Sequence, residues 1–232
     1  MKPVFDLATV DADGAIREAE EAVAGDTRAA FFRKAAIGGG TVLGGGAIMG
    51  MLPDLAIGAP SKKQDLAILN FALTLEYLEA EFYALAVKHG ASFGAQAQNL
   101  ARTIAGHEAA HVAALKQTIK SLGGKPVAKP TFDFKHTTRK RSTFLATAYV
   151  LENTGVQAYL GQAGNLKSQA LLGAAASIVT IEARHAAAVA TLSDKTPFHD
   201  GGVGITPNGG FDKPATKDEI LAAVGKTGFI KG

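Results

Sequence analysis

The chain has 232 residues, 47% of them hydrophobic, no cysteine and a formal net charge of +3. That length supports one substantial core with peripheral pieces, and the lack of cysteine excludes a disulfide framework, a thiolate metal site and a lipid-modified cysteine. The charge is uneven, since residues 1–59 carry 5 basic and 8 acidic side chains whereas residues 60–232 carry 19 and 13. A basic surface favours encounter with anions without making a nucleic-acid fold, and the cluster Lys135, Arg139, Lys140, Arg141 reads as a solvated loop. No specific nucleic-acid partner is expected.

Residues 1–59 divide into a polar, acidic stretch with a short helix over Ala15–Ala24, then Thr27-Arg-Ala-Ala-Phe-Phe-Arg-Lys34, then an uncharged, Gly-rich apolar run from Ala35 to Leu52. The middle piece resembles a twin-arginine export signal through Thr27, Arg28, Phe31, Phe32 and Arg33, although Ala29 stands where the second arginine belongs. Ala56-Ile-Gly58 offers small residues for cleavage. The expectation is export to the periplasm or the extracellular space. An uncleaved anchor touching a membrane through residues 35–52, and a cytoplasmic protein, are the alternatives.

From Ser61 onward the pattern becomes helical. A first helix over 62–89 places Leu69, Ala72, Glu76, Glu79, Tyr83 and Ala86 on one stripe, and a second over 92–122 does the same with Leu100, Ile104, Glu108, His111, Leu115 and Ile119. Gly90 and Gly123-Gly124 end them. A third helix from Ser142 aligns Leu145, Ala148, Glu152, Gly155 and Tyr159, and a fourth over 168–192 aligns Ile178, Glu182, His185, Val189 and Leu192. Gly155 and Gly161 each weaken the third helix by about 1 kcal/mol relative to alanine, so they are expected where another helix approaches closely. The link 123–141, with Pro126, Pro130, Phe132 and Phe134, is long enough to run the length of a bundle. The predicted fold is all-α: an antiparallel four-helix bundle over 60–195 with one long crossover, and a Gly- and Pro-rich tail, 196–232, packed on it with a short helix at 217–224.

Within this bundle one motif is written twice. Glu76 precedes Glu108-Ala-Ala-His111 by 32 residues and Glu152 precedes Glu182-Ala-Arg-His185 by 30, and each lone glutamate has a tyrosine seven residues later, Tyr83 and Tyr159. A carboxylate and an imidazole three residues apart share a helix face. Four carboxylates aimed into one interior would repel one another and lose their hydration, unless cations sit among them. Two divalent ions offset four glutamates, and oxygen-rich sites with one imidazole per ion suit two iron or two manganese ions. The expected assignment is Glu76 and His111 on one ion, Glu152 and His185 on the other, Glu108 and Glu182 bridging. Tyr83 and Tyr159 are expected to orient carboxylates of the opposite half, and Glu79, whose matching position in the second repeat is Gly155 and carries no acid, to supply an extra ligand or a proton relay.

From about Asp65 to His185, and loosely through Phe211-Asp-Lys-Pro214, the chain resembles the ferritin-like domain family that includes plant desiccation-related proteins and bacterial members with export signals. The resemblance is carried by Leu69-Asn-Phe-Ala-Leu-Thr-Leu-Glu-Tyr-Leu-Glu-Ala-Glu-Phe-Tyr83, Gly106-His-Glu-Ala-Ala-His111, Leu151-Glu-Asn-Thr-Gly-Val-Gln-Ala-Tyr159 and Glu182-Ala-Arg-His185. Rubrerythrins and bacterioferritins share the broader ligand plan. A di-metal carboxylate bundle is what the resemblance implies.

The expected function is a di-iron or di-manganese oxidoreductase acting on oxygen or peroxide in stress protection, with no catalytic residue beyond the metal ligands. A different class is a non-catalytic stress or desiccation protein stapled by its metals. His107-Glu-Ala-Ala-His111 also fits the His-Glu-x-x-His pattern of zinc proteases, but residues 112–151 hold no glutamate for a third ligand. In the bundle reading His107 points about 100° from Glu108 and is structural or exposed rather than a ligand. Basic, Ala-rich bundles of this kind lend themselves to homodimers.

Overall fold

The computed structural model describes residues 61–193 and 210–231. The expectations placed on the N-terminal helix, the export signal and the apolar run at 35–52 lie outside those residues. Among the described residues there are five α-helices: α1 (Lys62–His89), α2 (Ala95–Ser121), α3 (Arg141–Ala163), α4 (Gln169–Leu192) and α5 (Lys217–Thr227). None of them is long and apolar enough to cross a membrane.

Local chemistry fixes the helix ends. The Ser61 hydroxyl accepts from the Gln64 amide at 3.2 Å to start α1. A 3-10 turn, Gly90–Ser92, and Gly94 at φ +79° separate α1 from α2, so the second helix begins three residues later than its apolar stripe suggests. Gly123, at φ +73°, closes α2, and the Gly124 amide donates to the Ile119 carbonyl at 2.8 Å. Thr216 and Glu219 form a reciprocal cap at the start of α5.

The contacts between helix ends give the topology. Asn70, early in α1, reaches the chain just past α2 through its bond from the Val127 amide at 2.6 Å, so α1 and α2 run antiparallel. Asp65, also early in α1, accepts from the Lys167 amide just past α3 at 2.8 Å. Helices α1 and α3 are therefore antiparallel too, and α2 and α3 parallel. Arg141 at the start of α3 donates to the Leu192 carbonyl at the end of α4 at 2.7 Å, which makes that pair antiparallel. Such a bundle needs one long crossover, and residues 122–140 supply it.

The crossover holds a short strand, β1 (Thr131–Phe132), paired antiparallel with β2 (Ile230–Lys231) near the C-terminus. Two residues carry no periodicity, and neither strand is expected from sequence. This pairing and α5 bring Ile220, Val224 and Phe229 into an aromatic core with Phe82, Phe93, Phe134 and Phe144. A second, mainly aliphatic core gathers Leu69, Leu73, Leu115, Ile119, Leu171 and Ile178. Along α2, Ile104 belongs to the first core and Leu115 to the second, with Glu108 and His111 between them. A polar layer thus divides the two apolar ones.

The helix-contact reason expected for Gly155 and Gly161 needs correction. A Cβ on Gly161 would stand 1.8 Å from the Ala215 carbonyl oxygen, so the intruder is extended tail backbone, tied on by the Ala215 amide bond to the Gln157 carbonyl at 3.1 Å. A Cβ on Gly155 would lie 3.2 Å from Glu182 and 3.3 Å from Glu79, so this glycine leaves room for carboxylates. Gly161→Ala is expected to displace the tail and cost about 1–3 kcal/mol despite the better helix propensity of alanine. A melting temperature unchanged by that substitution would contradict the tight seating of residues 214–216.

Candidate metal centre

Each of the four bundle helices delivers one glutamate to the polar layer, and Glu76, Glu108, Glu152 and Glu182 are all fully buried. Helix α2 adds His111 and α4 adds His185, one turn after their glutamates, with side chains only 11% and 6% exposed. The Nδ1 atom of His111 lies 3.2 Å from Glu76, 3.3 Å from Glu108 and 3.1 Å from Glu182. That of His185 lies 3.2 Å from Glu152 and 3.1 Å from Glu108. The repeat in sequence is thus a near two-fold in space: each imidazole faces the lone glutamate of its own half and a Glu-x-x-His glutamate of the other.

These side chains form two groups whose candidate ligand atoms lie within 4.8 Å of one another. One is Glu76, Glu108, His111 and Glu182, the other Glu108, Glu152, Glu182 and His185. Glu108 and Glu182 belong to both. The tyrosines act crosswise: Tyr83 donates to Glu152, and Tyr159 donates to Glu76 at 2.5 Å. Each ties a lone glutamate to a helix of the opposite repeat.

Protons alone serve this cluster badly. One Nδ1–H of His111 cannot satisfy three carboxylates, and although Glu182 comes within 3.1 Å of it, both Glu182 carboxyl oxygens and Oε1 of Glu108 lack an aligned hydrogen bond. Orphaned, buried carboxylate oxygens at the shared positions are what cations would satisfy. The donor set of four carboxylates and two imidazoles fits a pair of hard or borderline divalent ions.

Without cations the electrostatics are those of a proton store. Burial pushes Glu76 well above the ordinary carboxylate range, aided by Glu182 and Glu108 and opposed by the His111 bond. Glu182 is raised to about 8 by burial and by the neighbouring Glu152 and Glu108 charges. Burial alone would lower the histidines, but the close carboxylates of Glu108, Glu182 and Glu76 carry His111 up to about 12, and those of Glu108 and Glu152 carry His185 to about 10. Burial would raise Glu108 as well, but the two imidazoles close beside it outweigh that and bring its carboxyl down to about 2. Of the facing pair Glu76 and Glu108, it is therefore Glu76 that keeps the proton.

A sequence profile described as a ferritin-like domain matches residues 64–195, more than half of the chain. The chain belongs to the ferritin-like domain family. A comparison with curated proteins returns no match. The match runs from the start of α1 past the end of α4, so all six glutamate and histidine positions of this ferritin-like domain fall within it.

Two further residues break the symmetry of the ferritin-like site. Glu79 is 3% exposed, raised well above the ordinary carboxylate range by burial and by Glu182 and Glu152, and stands opposite Gly155. It joins neither four-residue group. Among the described residues His107 also joins neither group, whereas His111 of the same His-Glu-x-x-His stretch joins the first. His107 is exposed, as expected, but its Nδ1 lies 2.8 Å from Nε2 of His185, with the two rings parallel to within 13°.

That contact is not legible in the sequence, where His107 appears only to point away from Glu108. The corresponding position before Glu182 is Ile181, so His111 has no matching partner from the second repeat. His185 would hold a metal through Nδ1 with its proton on Nε2, and His107 would then accept that proton, fixing ring orientation and tautomer. His107→Leu is expected to weaken metal retention about tenfold, and His107→Gln, whose amide oxygen can accept the same proton, to retain most of it. Equal metal affinity in the leucine variant and the wild type would remove this role.

Proposed function

We propose that the polar layer binds two ions of iron or manganese, with Glu76 and His111 terminal on one, Glu152 and His185 terminal on the other, and Glu108 and Glu182 shared. The observation that carries this reading is the membership of Glu108 and Glu182 in both four-residue groups, because a bridging carboxylate must reach two ions at once. A bound pair of this kind supplies two electrons, one per ion, so that dioxygen with two protons leaves as hydrogen peroxide, or peroxide with two protons leaves as two waters.

The chain's own part is positional. Tyr83 and Tyr159 hold the terminal glutamates while the bridging ones, free of aligned bonds on three of their oxygens, can shift between carboxylate modes. The two apolar cores exclude bulk water from both ends of the layer. Protection against oxygen or peroxide stress is the corresponding physiological role, in an exported protein if the N-terminal segment acts as a signal.

Full-length protein loaded anaerobically with two equivalents of Fe(II) is expected to develop a ferric absorption band when peroxide or oxygen is added, and Glu108→Ala to develop none. Metal-dependent melting with no spectral change under either oxidant would instead assign the pair to a structural staple.

A further inference from the structure

About one helical turn from the polar layer lies an apolar cavity of about 60 Å³. Its lining includes the buried Ala72, Leu115, Ile178 and Tyr159 and the exposed Ala114 and Ala174. The register of these residues places the cavity. Ala72 is one turn before Glu76, Leu115 one turn after His111, and Ile178 one turn before Glu182, while the Tyr159 hydroxyl itself bonds Glu76. All of these lead to the Glu76, His111, Glu182 side, so the cavity floor and that half of the centre are separated by about one helical turn, ~5 Å.

An apolar cavity gives water too few partners to stay, and cavities of this kind take up small apolar molecules instead. A volume well under the ~150 Å³ that admits benzene restricts the occupant to a molecule of a few heavy atoms. Hydrogen peroxide would lose its hydrogen bonds on entering such a space. Dioxygen would lose none. The opposite edge of the centre, where exposed His107 meets His185, offers polar groups to peroxide.

We propose that this cavity is the docking site of dioxygen, delivering it to the Glu76 and His111 half of the centre, an inference that rests on the redox reading above. The two electrons come from the two divalent ions and the two protons from solvent, and hydrogen peroxide leaves by the polar edge.

Two variants of the full-length protein reduce the cavity without touching a ligand: Ala175→Phe, at a half-buried lining position, and Ala72→Leu, inside it. Xenon, observed by xenon NMR or in pressurised crystals, is expected to occupy the wild-type cavity and to be excluded from both variants. After anaerobic Fe(II) loading, oxidation by dioxygen is expected to slow about tenfold or more in the variants, while oxidation by peroxide stays within about twofold of wild type. Failure of xenon to enter the wild type, dioxygen rates unchanged in variants that exclude xenon, or equal slowing with both oxidants would each overturn the docking site and leave the redox reading standing. Wild-type protein that takes up xenon yet reacts with neither oxidant would overturn the redox reading, and dioxygen as the occupant with it.

Discussion

Glu182→Met is expected to stabilise the metal-free protein by about 1–3 kcal/mol while abolishing its stabilisation by metal. Glu182 is fully buried, two of its oxygens lack an aligned bond, and burial together with the Glu152 and Glu108 charges opposes its ionisation. Replacing such a group by an apolar side chain of similar volume removes a desolvation cost and, where it is ionised, a repulsion, while His111 keeps Glu76 and Glu108 as partners. The same residue belongs to both ligand groups, so its loss should empty both half-sites and not one. Wild type at a free metal concentration of 100 times its Kd should gain about 2.7 kcal/mol per site, and the variant none. The melting curves of the two proteins, with and without Fe(II) or Mn(II), should therefore cross. A variant that melts below wild type without metal and still gains stability with it would contradict the assignment of Glu182 as shared.

The second large effect is on pH. In the metal-free fold Glu182 is raised to about 8, His185 to about 10 and His111 to about 12, so the folded state binds more protons than the unfolded chain. Stability from a raised group is complete below its unfolded value and is lost as pH climbs through its folded value. For Glu182 that window runs from about 4.5 to about 8, and for the histidines from about 6.5 to about 10 and about 12. Glu108, lowered to about 2, acts in the opposite sense only below its ordinary value of 4.5. Metal-free protein should consequently melt lower at pH 8 than at pH 5, by an amount equivalent to a few kcal/mol. Metal competes with those protons, so affinity should rise about tenfold per pH unit for each proton displaced. Metal-free protein more stable at pH 8 than at pH 5 would show that the layer does not store protons.

Much of this architecture is legible in the sequence because the ligands sit inside the apolar stripes. Glu76 falls in register with Leu69, Ala72 and Tyr83, and Glu108 with Ile104 and Leu115, so the pattern that predicts a buried helix face also predicts buried acids. Helix ends follow from Ser61, Gly90 and Gly123 to within a few residues. Long-range contacts leave no such trace. The strand Thr131–Phe132 finds its partner about a hundred residues away, Gly161 is small because of Ala215, and Gly155 is small because of two carboxylates. His107 shows the same limit, since its 2.8 Å contact with His185 joins positions 78 residues apart and has no counterpart in the second repeat.

The most direct test is a crystal of metal-loaded protein measured at the absorption edge of the added iron or manganese. Two anomalous peaks are predicted, one bonded to Nδ1 of His111 and one to Nδ1 of His185, with carboxylate oxygens of Glu108 and Glu182 reaching both. A single peak, or none within bonding distance of these six side chains, would contradict the account.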